Sequence, residues 1–203
     1  MPVALTIAPD PPAPLIPPRK RWTRAECAVL ESSGIWDQQK VELIDGELIS
    51  KMGKNRPHVV VLARIKKWLV ETFGWDRVNQ EAPIDVASED NPSNEPEPDV
   101  IVFNLPSGFE LGSAQSGDLA LVVEVADTTL RFDLSVKARL YARAGIVEYW
   151  VLDVTDRRLI VHREPEPGGY RSVIAFSESE KVAPLAAPQS ELLVRDIFPL
   201  RKN

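Results

Sequence analysis

The chain has 203 residues, 44% hydrophobic and 27% charged, which is ordinary for a soluble globular protein and enough for one sizeable core. Its formal charge of −6 gives no general attraction for phosphate backbones, so any nucleic-acid binding needs a local group of cations. No run approaches the roughly 20 apolar residues that cross a bilayer, and a single cysteine, Cys27, excludes an internal disulfide and fits a cytoplasmic location.

Residues 1–20 hold seven prolines and few large apolar side chains, so they read as a disordered or extended tail. The stretch has no early basic region and is broken by proline, which does not match a signal peptide. Residues 21–203 are expected to form a single domain. It opens with "TRAE" (Thr23 to Glu26), a capping box that starts a short helix ending near Gly34 and enclosing Cys27 as a buried structural thiol. "KVELIDGELISK" then alternates around Asp45-Gly46, a strong hairpin signal. Val41, Leu43, Leu48 and Ser50 fall on one face, and Glu42, Ile44, Glu47 and Ile49 on the other.

"HVVVLARIKKWLVETF" (58–73) places Val61, Leu62, Ile65, Trp68, Leu69 and Phe73 on one helical stripe. A strand is expected around 76–87. The loop "NPSNEPEP" leads to a strand at 99–103, and a Gly/Ser-rich loop to another at 119–126. A helix follows from about Asp133 to Ala144, stopped by Gly145. Three strands are expected at 147–154, 157–163 and 170–176, and "SELLVRDIF" closes the chain as a short helix or an extended segment. The strands at 99–103 and 119–126 are apolar on both sides, which predicts an α/β fold with a central sheet covered by helices on both faces.

Three charges stand out. On a helical wheel of about 100° per residue, Lys137 falls within the apolar arc of Leu134, Ala138 and Tyr141, while Arg139 and Arg143 fall on the far face. Glu124 sits in the middle of "LALVVEVA", where neither face of the strand can be solvated. Asp99 opens the neighbouring apolar strand, on the side of Ile101 and Phe103. A lysine can snorkel to water, and Glu124 with Lys137 can form a structural ion pair. A second carboxylate changes the balance. Two carboxylates a few ångströms apart repel unless one is protonated or a cation lies between them. Magnesium is held by one or two carboxylates with water and phosphate oxygens, which suits phosphodiester hydrolysis. A lysine beside it orients or deprotonates the attacking water, or offsets charge in the transition state.

"EPD" before an apolar strand, a second strand with a central glutamate and a nearby lysine resembles the PD-(D/E)xK nuclease superfamily. More closely, the chain resembles the Uma-two family of bacterial restriction-endonuclease-like proteins. The matching pieces, in order, are "VELIDGEL" (41–48), His58 opening the next helix, "PDVIVF" (98–103), "LVVEV" (121–125), the spaced Asp133, Lys137 and Tyr141, and "GIVEYWVLD" (145–153). The resemblance implies a restriction-endonuclease-like fold with a central mixed sheet flanked by helices, plus an N-terminal helix and β-hairpin. It implies Asp99 and Glu124 as ligands of Mg2+ (or Mn2+), with the backbone carbonyl of Val125 as a third. The superfamily lysine usually stands two residues after the glutamate, where this chain has Ala126, and Lys137 on the following helix takes its place. Glu42 matches a family glutamate and is expected to be a further ligand or to position water. His58 and Asp133 are candidate substrate contacts. After the glutamate this chain reads "EVADTT", with Asp127 in place of a small polar residue.

The leading expectation is therefore a metal-dependent endonuclease that cleaves DNA, acts as a homodimer and has no membrane association. A catalytically silent binding module on the same fold, and a hydrolase of another phosphate ester, are the alternatives. Choice of DNA over RNA and sequence specificity are not written in the residues, since no helix-turn-helix or zinc-finger signal is present. Two histidines, His58 and His162, are too few for a histidine-rich zinc site.

Overall fold

The computed structural model describes residues 19–36, 39–51, 55–110 and 114–200; most of the proline-rich tail lies outside them. Helix α1 (Arg24–Ser32) begins at the expected capping box. Thr23 accepts from the Glu26 backbone N–H, and the Glu26 carboxylate accepts from the Thr23 backbone N–H at 3.0 Å. Strands β1 (Val41–Ile44) and β2 (Glu47–Ser50) form the hairpin, with Glu42 opposite Ile49 and Leu43 opposite Leu48. Asp45 (φ 48°) and Gly46 (φ 72°) both take the left-handed conformation of a type I′ turn, which matches the twist of the strands.

Helix α2 (Arg56–Phe73) starts two residues before the expected His58, because Asn55 caps it and Pro57 fits the first turn. Its stripe of Val61, Leu62, Ile65, Leu69 and Phe73 is buried. Each such side chain contributes about 1.5–3 kcal/mol on leaving water. The strand expected at 76–87 shrinks to β3 (Val78–Gln80). Beyond it the chain runs as a loop, with Ile84 bridging Ala114 and Asp85 gathering Arg24, Asn91 and Gln115.

Strands β4 (Val100–Phe103), β5 (Leu119–Ala126), β6 (Glu148–Asp153), β7 (Arg158–Glu166) and β8 (Gly169–Phe176) complete a six-stranded sheet ordered β3-β4-β5-β6-β7-β8. Only β5 and β6 are parallel, and the helical crossover between them supplies the long connection that a parallel pair requires. The crossover consists of α3 (Leu130–Phe132), a π-helical turn (Asp133–Lys137) and α4 (Ala138–Arg143). It begins earlier than the expected Asp133, and the π turn departs from a regular wheel. Two short strands, β9 (Lys181–Val182) and β10 (Leu192–Leu193), pair with each other, so the C-terminal segment is extended before its final 3-10 turn at Val194–Ile197.

The sheet has two apolar faces. Val123, Val125, Trp150, Leu152 and Val161 pack with α2 on one, and Val122, Tyr149, Val151 and Ile160 pack with Ala138 and Tyr141 of α4 on the other. His162 is buried on the α4 face between Tyr149 and Tyr170, and burial pushes its imidazole down to about 4. It is a neutral core residue there. Cys27 is buried, and burial pushes its thiol up.

Candidate active site

Antiparallel pairing of Val100 with Val123 carries Asp99, one residue earlier, to the position opposite Glu124. Residues opposite each other in an antiparallel pair point to the same face. Asp99 therefore shares the α4 face with Glu124, on the side of Ile101 and Phe103. Asp99 Oδ2 accepts from the Val125 backbone N–H at 2.9 Å, and the Asp99 backbone N–H donates to Glu124 Oε2 at 3.4 Å. The two acids interlock across the strands.

The π turn brings in the cation. Asp133 and Lys137 at its two ends are both buried, whereas Leu134, Ser135 and Val136 between them are only half-buried. Lys137, 3% exposed, donates to Glu124 Oε1 at 2.8 Å and lies 2.9 Å from Glu42 Oε1. Glu42 thus faces inward from the hairpin, and its other oxygen accepts from the Glu97 backbone N–H at 3.3 Å. Asp133 accepts from the Thr129 hydroxyl at 2.6 Å. His58, seated by the Asn55 cap on α2, has Nε2 3.7 Å from Asp99 Oδ2.

All seven residues singled out from sequence (Glu42, His58, Asp99, Glu124, Val125, Asp133 and Lys137) line one pocket of about 700 Å³. Val125 contributes through its backbone, because its side chain packs against the α2 face. Sequence reasoning missed several neighbours. Tyr141, read as core, is indeed fully buried, but its hydroxyl also donates to Glu124 Oε1 at 3.1 Å. Lys51, grouped with surface cations, lines the pocket and donates to the Glu97 carbonyl at 2.7 Å. Lys54 of the same group lies outside the described residues. Asn55 bonds Asp127 and so ties the start of α2 to the loop after β5. The Asn-x-Pro spacing before the helix was the available signal for that cap.

The electrostatics are those of a site short of positive charge. Among the described lining residues, five acids face two lysines. Burial pushes Glu124 up to about 8 against the pull of Lys137, and Asp99, Asp133 and Glu42 add to the rise. Burial likewise pushes Asp133 up to about 6. For Lys137, burial acts to lower the ammonium's pKa, but Glu124, Glu42 and Asp133 outweigh it and hold the proton more firmly than usual. Tyr141 is held well above its ordinary range by burial and by Glu124.

Among the described residues, no three His, Cys, Asp or Glu side chains are grouped to hold a metal by themselves. The donors present are two hard carboxylates beside backbone groups in an open pocket. That set fits magnesium, which keeps several water ligands and takes few from protein, and it does not fit a closed all-protein cage. The excess of buried carboxylate is what a divalent cation would neutralise.

A search of curated proteins gave no match. Among solved structures, the chain is similar to a putative nuclease belonging to DUF820 from Anabaena variabilis ATCC 29413. The two are 16% identical with a TM-score of 0.58, over 78% of this chain and 89% of that one. At that identity the likeness concerns the fold. The family model described as "Putative restriction endonuclease" matches residues 30–195, most of the chain, and the protein therefore belongs to the Uma2 family.

Proposed function

We propose that the protein is a metal-dependent endonuclease that hydrolyses DNA phosphodiester bonds in this pocket. The observation that carries this reading is the meeting of Asp99, Glu124 and Lys137, from two strands and a helix, beside an open cleft. Asp99 and Glu124 hold a magnesium or manganese ion, with the Val125 carbonyl as a further oxygen donor. When bound, that ion supplies Lewis-acid polarisation of a phosphoryl oxygen and a more acidic water.

The chain's own groups define the remaining roles. Lys137 carries a firmly held proton, so it acts as a fixed positive charge that offsets charge developing on phosphate, not as a base. Glu42 and Asp133 hold that ammonium in place from either side. Tyr141 and Lys137 both bond Oε1 of Glu124, which leaves Oε2 as the oxygen turned towards Asp99. His58, next to Asp99 at the helix start, contacts the substrate.

The test is conversion of supercoiled plasmid to nicked or linear forms with magnesium, with manganese and with chelator. Cleavage by the parent with either metal, lost with chelator and in Lys137→Ala, supports the reading. Equal cleavage by parent and variant removes Lys137 from the chemistry.

A second reading is a catalytically silent module. Lys137 already bonds two carboxylates with no ion present, as a purely structural salt-bridge network would. A parent that binds magnesium nowhere, and cuts neither DNA nor other phosphate esters, favours that reading.

A further inference from the structure

The sheet has two edges of unequal character. β3, at one edge, is three residues long. β8, at the other, has eight residues and pairs only with β7 among the described strands. Val173 and Ile174, at its centre, are each 53% exposed and point to opposite faces of the sheet. β8 contains no proline, and its single charge, Arg171, is paired with Glu164 on β7. Proteins usually protect long edges with charge, proline or a covering element, because a row of unpaired N–H and C=O groups recruits another strand. β8 carries none of these devices along 172–176.

We infer that β8 is a self-association surface, on which the β8 strand of a second copy of this chain pairs antiparallel to give one continuous sheet. Charge along the strand favours a reversed copy of itself. Arg171 stands near the N-terminal end and the exposed Glu180 beyond the C-terminal end. Antiparallel pairing therefore brings unlike ends together, whereas parallel pairing sets like charges side by side. Val173 and Ile174 then cover their counterparts, one on each face.

The symmetry has a geometric consequence. Two identical strands pair antiparallel only about a two-fold axis normal to the sheet, so the α4 faces of both copies lie on the same side. Glu124 aligns across the sheet with Val151, Ile160 and finally Ala175 of β8, close to that axis. The two Glu124 residues are then separated by seven strand spacings of about 4.8 Å each, roughly 34 Å along the sheet. That is about one turn of B-form DNA. Resting on the nuclease reading, the dimer presents two cutting sites to one side of one duplex.

Analytical ultracentrifugation of the full chain tests the interface without reference to activity. The parent should sediment at twice the 22.6 kDa chain mass, and the double variant Val173→Lys/Ile174→Lys at the single mass with unchanged circular dichroism. Hydrogen exchange gives a second readout: the outward amides of 171–176 should be protected in the parent and exchange freely in the variant. A monomeric parent, a larger open assembly, or a dimer that survives both lysines overturns the proposal. In the plasmid assay the dimer should yield linear product, and the monomeric variant nicked circles. If the mass shift holds and neither protein cuts DNA, the interface stands and the nuclease reading fails. If the parent is monomeric and still cuts, the reverse holds.

Discussion

Lys137 and Glu124 are the residues whose burial demands an explanation, at 3% and 5% exposure. Removing one member of a buried ion pair costs about 3–5 kcal/mol, because the other charge is left unpaired. Lys137→Met should lower unfolding free energy by that order and abolish cleavage, as measured by urea denaturation alongside the plasmid assay. The isosteric Glu124→Gln should lose cleavage with a smaller stability change. The titration of Glu124 gives a signed prediction. Its carboxyl rises from an ordinary 4.5 to about 8 in the fold, and Asp133 from 3.8 to about 6. Between those values the folded chain binds more protons than the unfolded chain, so these groups' stabilising contribution is complete below about pH 4 and lost as pH rises towards 8. Denaturation midpoints of the metal-free parent relative to Glu124→Gln should therefore fall from pH 5 to pH 8. A flat difference would remove Glu124 as the source. These charges were legible in the sequence because an ionisable group in an unbroken apolar strand, or inside an apolar helical arc, has few ways to be tolerated. Glu42 was less so, since a hairpin glutamate faces solvent or core depending on what packs above it.

At the scale of elements, local chemistry set what could be read. The capping box, the Asp45-Gly46 turn and the stripe of α2 are decided by neighbours a few residues apart, and each appears where its pattern lies. The helix after β5 is different. A regular wheel put Lys137 in the apolar arc and thus found the residue, but the π turn at Asp133–Lys137 turns both of its end residues inward. Single π turns inside helices recur at functional sites, and nothing in the sequence pattern marks this one. The strand expected at 76–87 failed because its apolar residues are bound by separate contacts, Ile84 to Ala114 and Val78 to Val102, and not by one ladder. Gly46 offers a test of how the hairpin positions Glu42. At φ 72° an added Cβ is strained, and it would lie 3.0 Å from the Arg21 side chain and 3.3 Å from the Trp22 carbonyl. Gly46→Ala should cost about 1 kcal/mol or more and reduce cleavage, because β1 carries Glu42. Loss of the Asn55 cap in Asn55→Ala should cost about 1 kcal/mol and weaken substrate binding through His58, seen as a raised KM with kcat less affected.

Across the whole molecule, the sheet order explains how distant parts of the sequence reach one point. β4 lies beside β5, the crossover returns over the α4 face, and the hairpin closes on it from the N-terminal side, so residues 42, 99, 124 and 137 converge. Long-range pairing of this kind was expected only through the family resemblance and the assumption that the two apolar strands are neighbours. Among the described residues no helix is long and apolar enough to cross a membrane. The central claim is that this convergence exists to hold a divalent ion for phosphodiester cleavage. Isothermal titration of manganese into the metal-free parent and into Glu124→Gln tests it most directly. The account predicts saturable binding at sub-millimolar metal in the parent and none in the variant; absence of binding in the parent, or equal binding in both proteins, would contradict it.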